Sequence, residues 1–320
     1  MDEFTLIQRF FASGGVTRDD VVLGVGDDGA VLRCPPHQEL VMTSDILLAG
    51  HHFPEATPAC DIGYKSLAAN LSDLAAMGAE PAWASLQLVL PEADETWLSD
   101  FIRGFYELAK VYNLQLVGGD TVRGPLTVGV QLCGWVPTGK ALTRGGAKPG
   151  DSIYVTGSVG DAALGLGVLQ GAIALAQDRH PQLIHRLNRP DPRVQEGMVL
   201  RDRASAAIDL SDGLIADLGH ILSSSHVGAS IELDRIPVSD IYRAYLQGGG
   251  DWAFALSHGD DYELCFTLPP EYANTVQEEF ARLSCPLHQI GAIESEAGLR
   301  VYQTNGSLFE TGRRGFNHFS

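Results

Sequence analysis

Lysine is scarce in this chain. Only Lys65, Lys110, Lys140 and Lys148 occur in 320 residues, and Lys+Arg total 22 against 40 Asp+Glu, a formal net charge of −18. A surface that tracks nucleic-acid phosphates needs clustered cations, and so does an anionic membrane, so neither is expected as a partner. A small polyanion held through bridging divalent cations remains compatible, because there the carboxylates help. The five cysteines (Cys34, Cys60, Cys133, Cys265, Cys285) form no C-x-x-C pair, which argues against a disulfide framework or a zinc site. No run reaches the ~18–20 apolar residues of a membrane span. The opening MDEFTLIQRFF begins acidic, without the basic start of a signal peptide, and a cytoplasmic location is expected. No G-x-x-x-x-G-K-[ST] loop is present, nor H-R-D or D-F-G. A nucleotide would therefore be handled by a fold other than the P-loop or protein-kinase type.

The chain has 45% hydrophobic and 19% charged residues, enough apolar material for a core and too little charge for disorder. Its length suggests two domains. Strands are expected over 39–48 (ELVMTSDILL), 114–117, 126–136 and 151–156, and helices over 61–77, 96–112, 161–177 and 211–224. Ser211 and Asp212 are candidate caps for the last of these. The turn-rich GGAKPG at 145–150 is the expected boundary, dividing the chain into 1–147 and 148–320. The fold class is α/β (α+β) with two domains.

The aspartates are placed where α/β proteins gather active-site groups, at strand ends and helix starts. Asp27 and Asp28 lie in the glycine-rich Gly24–Ala30 turn. Thr43-Ser44-Asp45 is near the end of a strand, and Gly118-Gly119-Asp120-Thr121 follows another. Asp209-Leu210-Ser211-Asp212-Gly213 opens a helix, in a short echo of Asn70-Leu71-Ser72-Asp73-Leu74. Asp73 lies ~200° around its helix from Leu71, off the leucine stripe. Each motif taken singly also reads as a turn or a cap. Carboxylates ~5 Å apart repel by about 3 kcal/mol per pair at an effective dielectric of 20, so a converging set needs cations or protons. Asp is well suited to Mg²⁺, being a hard oxygen ligand on a short side chain.

In order, GVGDDGA, TSD…HHF, NLSDLAAMGAEPAW, LVGGDT, LTRGGAKPGD, DLSDGLIADLG and GDDYEL resemble the thiamine-monophosphate kinases. These belong to an ATP-binding superfamily shared with aminoimidazole ribonucleotide synthetase and selenophosphate synthetase. The resemblance runs from about Leu23 to Phe319. It implies a two-domain subunit that forms a homodimer through the sheet of its N-terminal domain, with ATP as co-substrate and thiamine monophosphate as acceptor. It also implies several Mg²⁺ ions on Asp28, Asp45, Asp73, Asp120, Asp209 and Asp212, helped by Thr43 and Ser44. Gly119, Asp120, Arg144, Ser211 and Tyr106 would contact ATP, and His52, Asp260 and Phe316 the thiamine phosphate. Arg144, Asp212 and Asp120 would carry the catalytic charge. The chain departs from the family pattern in Asp260, where Glu is usual, and in Arg313-Arg314-Gly315-Phe316, where Trp-Lys-Gly-Tyr is usual. Selenophosphate synthetase uses a reactive residue in an N-terminal glycine-rich segment, and no Cys precedes Gly24 here. Other readings are another ATP-dependent synthetase of the superfamily and a non-catalytic nucleotide- or metal-binding relic.

Overall fold

The structure is a computed structural model and describes residues 3–12 and 14–310. The chain divides into two compact units, residues through Leu74 with Ala79–Gly139, and Ala75–Gly78 with the residues from Lys140 onward.

In the first unit, α1 (Glu3–Leu6) continues into a wider helical turn, Ile7–Phe11. Strands β1 (Val21–Leu23) and β2 (Val31–Leu32) pair antiparallel around the Gly24–Ala30 turn. Arg18 anchors the approach to β1: its guanidinium lies 5.1 Å from the Trp135 ring centroid and pairs with Asp20, which also accepts from Trp83 Nε1 at 2.9 Å. Strands β3 (Gln38–Leu48), β4 (Glu80–Leu90), β5 (Gln115–Arg123) and β6 (Thr127–Pro137) form a sheet in the order β3-β6-β4-β5, antiparallel except for β4 with β5.

Register decides the faces. Thr43, Asp45 and Leu47 stand opposite Leu132, Val130 and Val128, which in turn oppose Ala84, Leu86 and Leu88. Directly opposed residues share a face, and this one is covered by α2 (Ala59–Ala76), since Thr43 hydrogen-bonds Asp73 on that helix. Helix α3 (Glu95–Val111) crosses α2 closely. A Cβ on Gly63 would lie 2.0 Å from the Phe101 carbonyl oxygen, and one on Gly104 only 1.8 Å from that of Cys60. The opposite face of the sheet carries Met42, Ser44 and Ile46 and is open, with Met42 and Ile46 61% and 66% exposed.

In the second unit, β7 (Ser152–Thr156), β8 (Ala206–Asp209), β9 (Gly228–Glu232), β10 (Leu264–Leu268), β11 (Leu287–Glu294) and β12 (Gly298–Tyr302) make a sheet in the order β12-β9-β11-β7-β10-β8, with only β12/β9 parallel. The helices are α4 (Asp161–Leu169), α5 (His180–Asn188), α6 (Val194–Leu200), α7 (Leu214–Ser225), α8 (Asp240–Gln247), α9 (Ala253–Ser257) and α10 (Ala273–Arg282). Its core gathers Ile153, Val155, Ile208, Leu214, Leu218, Ile221, Ile231 and Ile290.

Three local expectations change. Helix α4 stops at Leu169 instead of running to 177, because Gly171 takes the left-handed conformation (φ 70°). Residues 118–121 are part of β5, which runs on to Arg123, and β4 was not anticipated at all. Neither Ser211 nor Asp212 caps α7: the cap position is Gly213, at φ 111° and ψ 149°, with no side-chain capping bond of its own.

Candidate active site

In the first unit the two-residue period of β3 puts Thr43 and Asp45 on the helix-covered face and Ser44 on the open one. Helix α2 is buried almost all round, and Asp73 is one of its few half-buried positions. Thr43 Oγ1 donates to Asp73 Oδ2. The Asp45 carboxyl is pushed up to about 7, chiefly by burial and then by the charge of Asp73. Thr43, Asp45 and Asp73 thus form a strained acidic cluster, and Ser44 does not join it through its side chain.

A second group lines a cleft of about 380 Å³ beside β5. Its walls are the Gly26–Ala30 turn, Gly118–Thr121, Leu86 and Leu116, with Ile7, Gln8 and Phe11 at one side. Asp28, Gly119 and Asp120 are therefore neighbours across one cavity, a size typical of small-molecule sites. Gly119 is required: a Cβ there would lie 1.8 Å from the Leu86 carbonyl oxygen, and its φ of 152° disfavours any side chain. Tyr106 stands behind this wall. Its hydroxyl donates to the Phe11 carbonyl at 3.0 Å, its ring packs under Gly15, and burial pushes its pKa up to about 12. Its observed contacts fasten the N-terminal segment. His52 Nδ1 accepts from Leu48 N–H at 2.9 Å, so the proton sits on Nε2 when the ring is neutral.

In the second unit, Asp209 ends β8 with its side chain buried, Ser211 is exposed and Asp212 half-buried. Asp217, one turn into α7, folds back so that Oδ2 accepts from Asp212 N–H (3.1 Å) and Gly213 N–H (3.0 Å). Burial and then the charge of Asp212 push Asp217 up to about 7, while those two amides and Arg144 pull it down. Arg144 is exposed on a segment tied to the rim of the sheet by Ala207 N–H to Thr143 C=O (3.0 Å) and to α7 by Ser225 Oγ to Arg144 C=O (3.3 Å).

Gly259–Glu263 lies against this segment. Asp260 N–H donates to Ser211 C=O (3.0 Å), Tyr262 N–H to Leu210 C=O (2.9 Å), and Leu210 N–H to Glu263 C=O (2.8 Å). Gly259, Asp260 and Tyr262 are all left-handed (φ 75°, 62° and 52°), which costs about 1–2 kcal/mol for each non-glycine residue. Asp261, between them, is fully buried: Oδ1 accepts from Gly160 N–H at 2.8 Å, and Oδ2 has no hydrogen-bond partner among the described residues. Burial drives its pKa well up, with the Gly160 amide and the charge of Arg186 opposing. Phe316, Arg313 and Arg314 lie outside the described residues.

The comparisons with known proteins cover the same ground. The AIR synthase related protein N-terminal domain matches residues 26–136, and the corresponding C-terminal domain matches 148–303. Thiamine-monophosphate kinase of Escherichia coli (strain K12) is 46% identical over 320 residues, covering 99% of this chain and 98% of that protein. The chain belongs to the thiamine-monophosphate kinase family. A crystal structure of thiamine-monophosphate kinase from Stenotrophomonas maltophilia K279a superposes with a TM-score of 0.85 at 46% identity, over 91% of this chain and 93% of that one. AaThiL complexed with AMPPCP and TMP does so with a TM-score of 0.79 at 30% identity, covering 92% of each.

The donors of this thiamine-monophosphate kinase family member fit magnesium. Among the described residues no group of three or more His, Cys, Asp or Glu side chains is arranged to hold a metal unaided. Pairs of carboxylates such as Asp45 with Asp73 are what Mg²⁺ uses when phosphate oxygens and water complete its shell. The raised Asp45 carboxyl is an electrostatic strain that a cation would relieve. Sequence reasoning missed Asp217 and Glu263. Asp217 had a signal, an acidic residue in the first turn of a helix, and Glu263 had its place in the GDDYEL motif, though neither was given a role.

Proposed function

We propose that this protein is a magnesium-dependent kinase that transfers the γ-phosphoryl group of ATP to the phosphate of thiamine monophosphate, giving thiamine diphosphate, the last step of that cofactor's synthesis. The observation that carries the reading is the full-length match at 46% identity to a thiamine-monophosphate kinase, and the acidic clusters and glycine-walled cleft supply a suitable chemistry.

Asp28, Asp45, Asp73, Asp120, Asp209 and Asp212 would hold Mg²⁺ ions, with Thr43 orienting Asp73 and Ser44 contributing beyond its side-chain contacts. Bound magnesium neutralises charge on the triphosphate. Gly119 lets the main chain approach the nucleotide closely, and Ser211 offers a hydroxyl and an amide to its phosphates. Arg144 is exposed and always charged, suited to a bidentate contact with a phosphate. The acceptor phosphate, with a second pKa near ~6, is already a nucleophile at neutral pH, so no strong base is needed. Positioning and charge stabilisation then supply the rate for in-line transfer. His52, Asp260 and Phe316 are assigned to thiamine monophosphate, and Tyr106 supports the ATP cleft from behind. Residues 1–147 take the nucleotide, metal and dimerisation roles, and 148–320 the remaining nucleotide and substrate contacts.

The exposed Leu40, Met42 and Ile46 on the open sheet face support a homodimer through that face. Among the described residues no helix is long and apolar enough to cross a membrane, consistent with work in the cytoplasm. The deciding experiment is incubation with ATP, Mg²⁺ and thiamine monophosphate, with the product identified by mass. Folded protein that binds ATP yet forms no thiamine diphosphate would be a relic, and one that releases inorganic phosphate alone would be a phosphatase.

A further inference from the structure

Glu263 is a heavily engaged acidic side chain of the second unit, and none of the roles above uses it. Its side chain is 1% exposed. Arg193 grips it as a fork, Nε to Oε2 at 2.6 Å and Nη2 to Oε1 at 2.8 Å, and Arg186 Nη2 reaches Oε1 at 2.9 Å. Thr156 Oγ1 donates to Oε2 at 2.7 Å and accepts from Leu264 N–H at 2.8 Å, so one hydroxyl ties both the carboxylate and the next main-chain amide to β7. The chain is shaped around this carboxylate: a Cβ on Gly157 would stand 2.1 Å from Oε1, and Gly157 is itself left-handed (φ 56°). Burial works against the charge on Arg193, yet the hydrogen bonds and charge of Glu263 outweigh it and raise the Arg193 pKa.

The residues just before Glu263 are the left-handed strap Gly259–Tyr262. A strained backbone persists only where its surroundings over-determine it. The strap has one end bonded to Ser211 and Leu210 by the Asp260 and Tyr262 amides, and its other end is Glu263. A Cβ on Gly259 would lie 2.0 Å from the Ser211 carbonyl oxygen, so the two segments touch main chain to main chain. Whatever fixes Glu263 therefore fixes the backbone around Ser211.

We propose that Glu263 is a positioning residue for phosphoryl transfer: clamped by Arg186, Arg193 and Thr156, it holds the Gly259–Tyr262 strap against Leu210–Ser211 and so sets the placement of Ser211, Asp212 and Asp260. This rests on the kinase reading above. An ion pair that served stability alone would, when broken, loosen the whole sheet and lower activity only in proportion to unfolding. A positioning clamp loosens the strap first.

Two substitutions in the full-length chain separate these. Glu263→Gln removes the charge and keeps the shape, and Arg193→Lys keeps the charge and loses the fork. Amide hydrogen exchange is followed at Asp260 and Tyr262 and, as internal references, at Ile208 and Phe266 in the neighbouring strands, alongside kcat and both KM values per folded molecule. In Glu263→Gln, exchange at Asp260 and Tyr262 is expected to quicken about ten-fold or more with the references unchanged, and kcat to fall by about the same factor. Arg193→Lys should lie between parent and Glu263→Gln in both readouts. Uniform quickening across the sheet, or unchanged exchange at the strap, overturns the proposal, and Arg193→Lys supplies the same comparison if Glu263→Gln does not fold. An active parent whose variants keep its kcat also overturns it, leaving the kinase reading intact. A folded parent that forms no thiamine diphosphate overturns both.

Discussion

Asp73→Asn tests the acidic cluster of the first unit through its effect on Asp45. The Asp45 carboxyl titrates at about 7 in the folded protein against a reference of 3.8, a difference of roughly 3 units or about 4 kcal/mol. Because the folded state holds this proton more tightly than the unfolded chain, the stability contributed is complete below about pH 4. It is lost as pH rises through about 7. Burial is the larger cause and Asp73 the smaller, so Asp73 accounts for at most about 2 kcal/mol of that loss. Against this stands the Thr43 hydrogen bond to a charged acceptor, which weakens by about 1 kcal/mol when the acceptor becomes an amide. In magnesium-free buffer at about pH 7.5, Asp73→Asn should therefore be more stable by roughly 1 kcal/mol, a Tm higher by about 2–4 °C. At about pH 5, with Asp45 protonated in both proteins, the order should reverse. The other raised carboxyls, Asp161, Asp217 and Asp261, are common to both proteins and cancel in the difference. Magnesium should raise the Tm of the parent more than that of the variant, and turnover by the variant should fall by orders of magnitude. The measurement is paired thermal melts across this pH range, with and without Mg²⁺. A variant equally destabilised at both pH values, stabilised by Mg²⁺ as much as the parent and retaining near-normal turnover per folded molecule, would refute the reasoning.

Phe316→Ala should raise KM for thiamine monophosphate by a few-fold to ~30-fold with KM for ATP nearly unchanged, as loss of stacking on a cationic ring implies; steady-state kinetics that raise both equally place Phe316 elsewhere. Gly104→Ala forces a methyl to 1.8 Å from the Cys60 carbonyl oxygen, so it should destabilise by about 3 kcal/mol or more, read as a lower midpoint in denaturant unfolding. Ile46→Arg places a charge on the open sheet face and should shift a homodimer to monomer in sedimentation while the monomer's unfolding midpoint moves little; an unchanged sedimentation coefficient would put the interface elsewhere.

The chemistry of the candidate site was legible in the sequence because it is local. The Gly24–Ala30 turn is recognisable from its own residues, whereas Gly118-Gly119-Asp120, which carries the same glycine and aspartate wording, lies within β5, and only the approach of the Leu86 carbonyl shows why Gly119 is needed. The residues that orient the site were less legible. Helix α2 shows a leucine stripe with Asp73 off it, and the stripe suggests one buried face, yet the helix is buried almost all round, so only the structure shows that Asp73 meets Thr43 and Asp45. The echo of Asn70–Leu74 in Asp209–Gly213 is also one of letters alone: the first is helix and the second is the turn between β8 and α7.

By itself the sequence determined the acidic, lysine-poor character of the chain, the strands β3, β6 and β7 and the helices α2, α3 and α7, and the family with its candidate ligands, because composition, periodicity and motif wording are properties of neighbouring residues. Tertiary structure alone decided that Thr43 and Asp45 face α2 while Ser44 faces outward, since a strand's alternation defines two faces and only packing chooses which one a helix covers. It alone decided that Asp217, not Ser211 or Asp212, satisfies the start of α7. It also brought Glu263 to Arg186 and Arg193, residues 77 and 70 positions away, where burial makes an unpaired carboxylate too costly to leave without both.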